Sequence, residues 1–141
     1  MTNTRRWVPV VMGAAALVAV TALVALLWPS PPQPVELTGV TASYTVHLDF
    51  GHPVAGTSSV QVSVDRRDHG PVTLDQVALE SVMPRMGHAM PELVARPTGG
   101  GRFTATGQLF LMSGVWLVSA RLSTPDEPVE TATVTVPVSV E

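Results

Sequence analysis

The chain has 141 residues, enough for one ordinary domain and an appendage, and only 13% of them are charged against 45% hydrophobic. It contains no cysteine, which excludes a disulfide scaffold, a thiolate zinc site, a catalytic thiol and a lipid-modified cysteine anchor. The eight basic residues are all arginine, they form no basic patch, and the net charge is −3, so nucleic acid is not an expected partner.

Residues 1–7 read as a short cytoplasmic N-terminus that carries Arg5 and Arg6. Residues 8–27, VPVVMGAAALVAVTALVALL, hold no charge. A helix rising about 1.5 Å per residue crosses the roughly 30 Å hydrocarbon layer over such a run. Trp7 and Trp28 bracket it, where amphipathic rings favour the interface. Pro9 falls near the helix start, where proline is tolerated. The span 8–28 is therefore expected to be one transmembrane helix. Arg5 and Arg6 stay on the cytoplasmic side, and the rest of the chain is extracytoplasmic. A cleaved signal peptide is the rival reading. Its apolar region is shorter, about 7–15 residues, and ends in a small-x-small site, which Leu26-Leu27-Trp28-Pro29 does not offer. Residues 29–35 form a proline-rich linker; PSPPQP favours the stiff polyproline II conformation, about 3 Å per residue.

Residues 36–141 read as an all-β domain, an immunoglobulin-like sandwich of about seven strands. The apolar period here is two. Ala42, Tyr44, Val46, Leu48 and Phe50 alternate with polar residues. So do Val60, Val62 and Val64; Phe103 and Ala105; Trp116, Val118, Ala120 and Leu122; and Val134, Val136, Val138 and Val140. Val77 to Val82 and Leu109 to Met112 are further strand-like runs. Turn signals separate the runs at Gly51-His52-Pro53, Asp68-His69-Gly70-Pro71, Thr98 to Gly101, Ser113-Gly114 and Pro125 to Pro128. Pro137 cannot donate to a ladder, so the last strand belongs at an edge or is irregular.

The segment MPRMGHAM, residues 83–90, gathers three of the chain's six methionines around one histidine. If Met86 to Met90 are extended, Met86, His88 and Met90 share a face at about 6.8 Å intervals. Met83 is out of phase, beyond Pro84. Met112, on the Leu109–Met112 run, is a further candidate. Thioethers are soft donors that suit copper(I) and bind calcium, magnesium or zinc poorly. Outside the cytoplasm, a Met/His set serves where cysteine would form disulfides. No acid lies within the segment, and Arg85 opposes a hard cation. Core packing is the other reading, since methionine fills gaps and a buried histidine can simply be hydrogen-bonded. His47 falls on the polar phase of its strand. His52 and His69 fall in turns.

Residues 83–122 resemble the YtkA-like domain family, which is similar in style to CopC-like copper carriers. Its hallmark is Met-Pro-x-Met-x-His-x-Met, then a Gly-rich turn with an aromatic, then a methionine and Gly-x-Trp before the final hydrophobic strand. Here these are Met83, Pro84, Met86, His88 and Met90; Gly101 and Phe103; Met112, Gly114 and Trp116. The resemblance implies a sandwich working outside the cytoplasmic membrane, with some members linked to copper handling and to copper delivery to cytochrome oxidase. Carried over by residue, it implies copper(I) held by Met83, Met86, His88 and Met90, with Met112 as a candidate. An oxidase subunit is then the implied acceptor.

The expected function is a membrane-anchored copper(I)-binding protein, a copper chaperone. A non-metal interaction domain, docking to a membrane protein complex through an edge strand, a loop or the adaptable methionine surface, is the alternative. No enzyme is expected. The sequence shows no nucleophile elbow, phosphate loop or HExxH motif, and Asp65, Asp68, Asp75 and Glu80 form no recognisable catalytic pair.

Overall fold

The structure, a computed structural model, describes residues 34–140. The expected cytoplasmic segment, the anchor and the linker up to residue 33 lie outside the described residues. From Pro34 onward the chain is all-β. Its strands are β1 (Glu36–Val40), β2 (Tyr44–Asp49), β3 (Gly56–Arg66), β4 (Gln76–Met83), β5 (His88–Ala89), β6 (Leu93–Gly99), β7 (Arg102–Phe110), β8 (Gly114–Ser123) and β9 (Glu130–Val138).

Every pairing between these strands is antiparallel. They run in the order β1-β2-β3-β7-β6-β4-β8-β9, with β5 paired to β4. β6 changes partner part-way. Leu93 to Ala95 pair with β4, whereas Arg96 to Gly99 pair with β7, so one strand turns the corner between two halves of the sheet. The two terminal strands, β1 and β9, approach each other. Gly39 permits this, because a side chain there would start 2.8 Å from the Cβ of Ala132. The Ser43 amide donates to Glu130 Oε2 at 2.9 Å, and the Ser139 amide to the Pro53 carbonyl at 3.1 Å. The sheet thus nearly closes on itself.

The alternating residues form the core, except Ala42 and Val140, which lie exposed beyond the ends of β2 and β9. Val46, Leu48, Val60, Val62, Val77, Leu79, Leu109, Phe110, Trp116, Val118, Ala120 and Val136 are sealed from solvent. Apolar burial of this kind stabilises by about 25 cal/mol per Å², and the alternation fixes register, since a slip of one residue would turn every valine outward. Nine strands replace the seven or so expected. β1, β5 and β6 carry little periodicity for a sequence reader. Gly39 is the one buried position of β1, β5 has two exposed residues, and β6 buries only Ala95 and contains Pro97. Phe103 to Phe110 form one strand, and Met112 lies beyond it in a turn rather than on a strand. Pro137 sits on β9, in register with Val115, and β9 is terminal in the order, where a missing ladder N–H is tolerated.

Candidate metal-binding hairpin

β4 and β5 form a tight hairpin whose turn is residues 84–87. Pro84 presets the backbone for the turn, and the Met86 amide donates to the Met83 carbonyl at 3.2 Å. Gly87 follows at φ 66°, a left-handed conformation that glycine adopts without steric cost. Met86 is therefore on the turn and not in an extended run, so the expected Met86, His88, Met90 face does not form.

A different face replaces it. Met83, expected to be out of phase, stands directly opposite His88 in the ladder. Directly opposed residues share a sheet face with Cβ atoms about 4.5–5.5 Å apart. The Met90 amide donates to the Ser81 carbonyl at 2.9 Å, which places Met90 across from Ser81 on that same face. Beyond it the ladder slips by one residue. Leu79 pairs with Leu93, so Glu80 alone faces both Pro91 and Glu92. This bulge bends the strand and places Pro91 where no ladder donor is needed.

The donors differ sharply in access. Met83 is 5% exposed and belongs to the core, whereas Met86 is 57% exposed. His88 is exposed, and Met90 and Met112 are half-buried against the core. The Met83 methyl group packs on Gly114 so closely that a Cβ at that glycine would lie 2.9 Å from Cε. Met112 sits in the turn 111–113 between β7 and β8. Its carbonyl accepts from Trp116 Nε1 at 2.9 Å. Trp116 in turn packs edge-on against Phe110 at 5.8 Å, and Phe110 against Phe50 at 6.0 Å. This aromatic row anchors the Met112 turn beside the hairpin. On the other flank, the buried Ser81 hydroxyl donates to the Leu109 carbonyl and ties β4 to β7.

Between the hairpin and the β7–β8 turn lies a cleft of about 450 Å³ lined by Met83, Arg85, Met86, Ser113, Gly114 and Val115. The structure thus brings Met83 and Met86 into one cleft and sets His88 opposite Met83. Met112 stands one residue from the cleft wall at Ser113. His88, Met90 and Met112 are not part of the lining itself. Arg85 makes no ion pair among the described residues. Among those residues no group of three or more His, Asp or Glu side chains could hold a metal ion. The side chains lining the cleft include two thioethers and a guanidinium, and no carboxylate is among them.

His47 and His69 line a different surface hollow from the Met83 cleft. His47 Nδ1 is 3.0 Å from Thr38 Oγ1, and its Nε2 is 3.8 Å from Asp65. His69 occupies a turn at φ 60°. His52 is exposed on the β2–β3 loop, which shares the hairpin's end of the sheet because Gly56 pairs with Phe110. Val35 enters at that end as well, its amide donating to the Gly51 carbonyl at 2.9 Å.

Sequence reasoning passed over Ser81, Leu117 and Val82. Ser81 reads as an ordinary strand serine, and only its burial reveals the tie to Leu109. Val82 and Leu117 face each other on the outer surface, 37% exposed each, and Val115 and Met86 continue the apolar stripe toward the cleft. Their signal was apolar residues on the polar phase of their strands. Compared with family models, curated proteins and solved structures, the chain matches none.

Proposed function

We propose that this chain is a membrane-anchored extracytoplasmic copper(I) carrier, an immunoglobulin-like sandwich of the YtkA-like kind. One observation supports the reading above the rest: the turn at 84–87 sets His88 opposite Met83 and puts Met86 in the same cleft as Met83. Soft thioethers and a neutral imidazole are the donors copper(I) prefers, and no carboxylate competes for a hard cation there. The copper ion is cargo. Met83 is a fixed donor, held by Gly114 and the core. Met86 and His88 are the accessible ones, and they can yield their places one at a time to an acceptor's ligands. Transfer by such exchange needs no covalent step and no change of copper valence. The acceptor that fits is a membrane protein with its own copper site, such as an oxidase subunit.

The experiment is a copper(I) titration of the full chain against a competing chromogenic chelator under reducing conditions, repeated on M86L, H88A and M90L. Loss of a donor from a soft site is expected to weaken binding at least about tenfold, equivalent to 1.4 kcal/mol. Equal affinity in the wild type and all three variants overturns the proposal.

A second reading is favoured by a separate observation. Val82, Met86, Leu111, Val115 and Leu117 are all large, apolar and exposed around this one end of the domain. An exposed apolar stripe of this kind suits contact with a membrane protein subunit. Val82 and Leu117 lie on the outer face of the paired strands β4 and β8, so the contact is through a sheet face. Replacing Leu117 and Val115 with serine separates the readings. Copper(I) affinity stays and partner transfer falls if the stripe only docks the acceptor; the interaction reading is lost if capture of an oxidase subunit by the metal-free chain is unchanged.

A further inference from the structure

The four methionines of this end share one neighbourhood and differ in access. Met83 is 5% exposed, Met90 and Met112 are half-buried against the core, and Met86 is 57% exposed on the turn. Met86 also lines the cleft beside Met83, with Arg85 next to it. Cysteine, the usual first target of oxidants, is missing from the chain.

We propose that Met86 is an oxidation site of this domain, taken by peroxide ahead of the other three, and that its oxidation withdraws a soft donor from the cleft. The copper consequence rests on the function proposed above; the order of oxidation does not. In the step, a lone pair on the Met86 sulfur attacks one peroxide oxygen and the O–O bond breaks. The leaving hydroxide takes the proton of the transferred oxygen and departs as water. Sulfur is oxidised by two electrons to the sulfoxide and peroxide is reduced by two. The product presents a hard oxygen where a soft sulfur stood, and copper(I) discriminates between them. The fold tolerates the change at this position. Met86 contributes its amide to the turn, and its side chain is mostly in solvent. At Met83 the same added oxygen would have to enter the core against Gly114.

The test treats the purified full chain with limiting hydrogen peroxide and follows each methionine by peptide mass spectrometry after cleavage at arginine. Met83 and Met112 fall on different arginine-bounded peptides, and fragmentation separates Met86 from Met90. Met86 is expected to oxidise about tenfold faster than Met83, in line with their exposures of 57% and 5%. Equal or faster oxidation of Met83, Met90 or Met112 overturns the proposal. A parallel sample carries silver(I), a redox-inert stand-in for copper(I). Protection of Met86 by silver supports its role as a donor, and affinity of the oxidised chain should fall to that of M86L. If silver binds but Met86 oxidises at its unprotected rate, the donor role fails. If silver does not bind at all while Met86 still oxidises first, the carrier reading falls and the oxidation site stands.

Discussion

Met83 and His88 stand directly across one rung of the β4–β5 ladder, the first buried at the inner wall of the cleft and the second open to solvent. One partner is thus part of the protein's packing and the other is not. Met83→Ala should cost about 2–5 kcal/mol of stability by leaving a cavity, while Met83→Leu, of similar volume, should cost under about 1.5 kcal/mol. His88→Ala should change stability by no more than about 0.5 kcal/mol, as expected of an exposed side chain. Denaturant unfolding checks all three. In the copper(I) competition, Met83→Leu and His88→Ala should both bind weakly despite their intact folds.

Gly114 controls where the Met83 methyl group can lie. It adopts φ 139°, and an added Cβ would sit 2.9 Å from Met83 Cε. Gly114→Ala should therefore destabilise by roughly 1–3 kcal/mol through backbone strain and overpacking. Part of that loss should disappear in a background of Met83→Ala, where the obstruction is gone. A double-mutant cycle measures the coupling, expected at about 0.5 kcal/mol or more. Additive effects would show that the two residues do not press on each other.

Ser81 tethers the hairpin strand to β7 through the Leu109 carbonyl. Ser81→Ala leaves that buried carbonyl without its donor, at a cost of about 1–3 kcal/mol. Because Met90 bonds to the backbone of the same residue, hydrogen exchange at the Met90 amide should quicken in the variant. Unchanged exchange with lowered stability would place the effect elsewhere in the core.

Asp68 provides a pH signature far from the hairpin. Its carboxylate accepts from Arg66 Nε and Nη2 at 3.0 and 2.8 Å and from the Gly70 amide at 2.9 Å. The Arg66 bonds first, then Gly70, lower its pKa from 3.8 to about 2. A depressed carboxyl stabilises the folded state fully above its unfolded value and loses that contribution as pH falls through the folded one. The stability difference between wild type and Asp68→Asn should thus be level above pH about 4 and vanish as pH approaches about 2. The carboxyl is exposed, so the difference itself is small. Carbon-detected NMR titration of Asp68, alone and with Arg66→Gln, checks the midpoint, which should return toward 3.8 in the variant.

The core was legible because valine, leucine and aromatic residues alternate over long strands: Val60, Val62 and Val64 on β3, and Trp116 to Leu122 on β8, fall inside as their period requires. β1 and β6 were not, since Gly39 buries by being small and Pro97 sits where one strand changes partners. The members of the Met/His set were visible as a cluster, yet their phase was not. Treating Met86 to Met90 as extended misses that Pro84 and Gly87 close a turn, and the turn is what exchanges Met86 for Met83 as the residue aligned with His88. Proline followed three positions later by glycine is itself a hairpin signal, and weighing it above the period would have found the register.

The meeting of β1 and β9 at Gly39 and Ala132 has a consequence for self-association. Unpaired backbone at the rim of a sheet invites neighbouring chains to add on, and such stacking ends in fibrils. Here the approach of Gly39 to Ala132, with the Ser43–Glu130 bond beside it, holds the two outermost strands together and leaves less of either rim open to a neighbour. A bulky residue at Gly39 would pry that seam apart, and self-association, rather than simple unfolding, is the failure it should provoke.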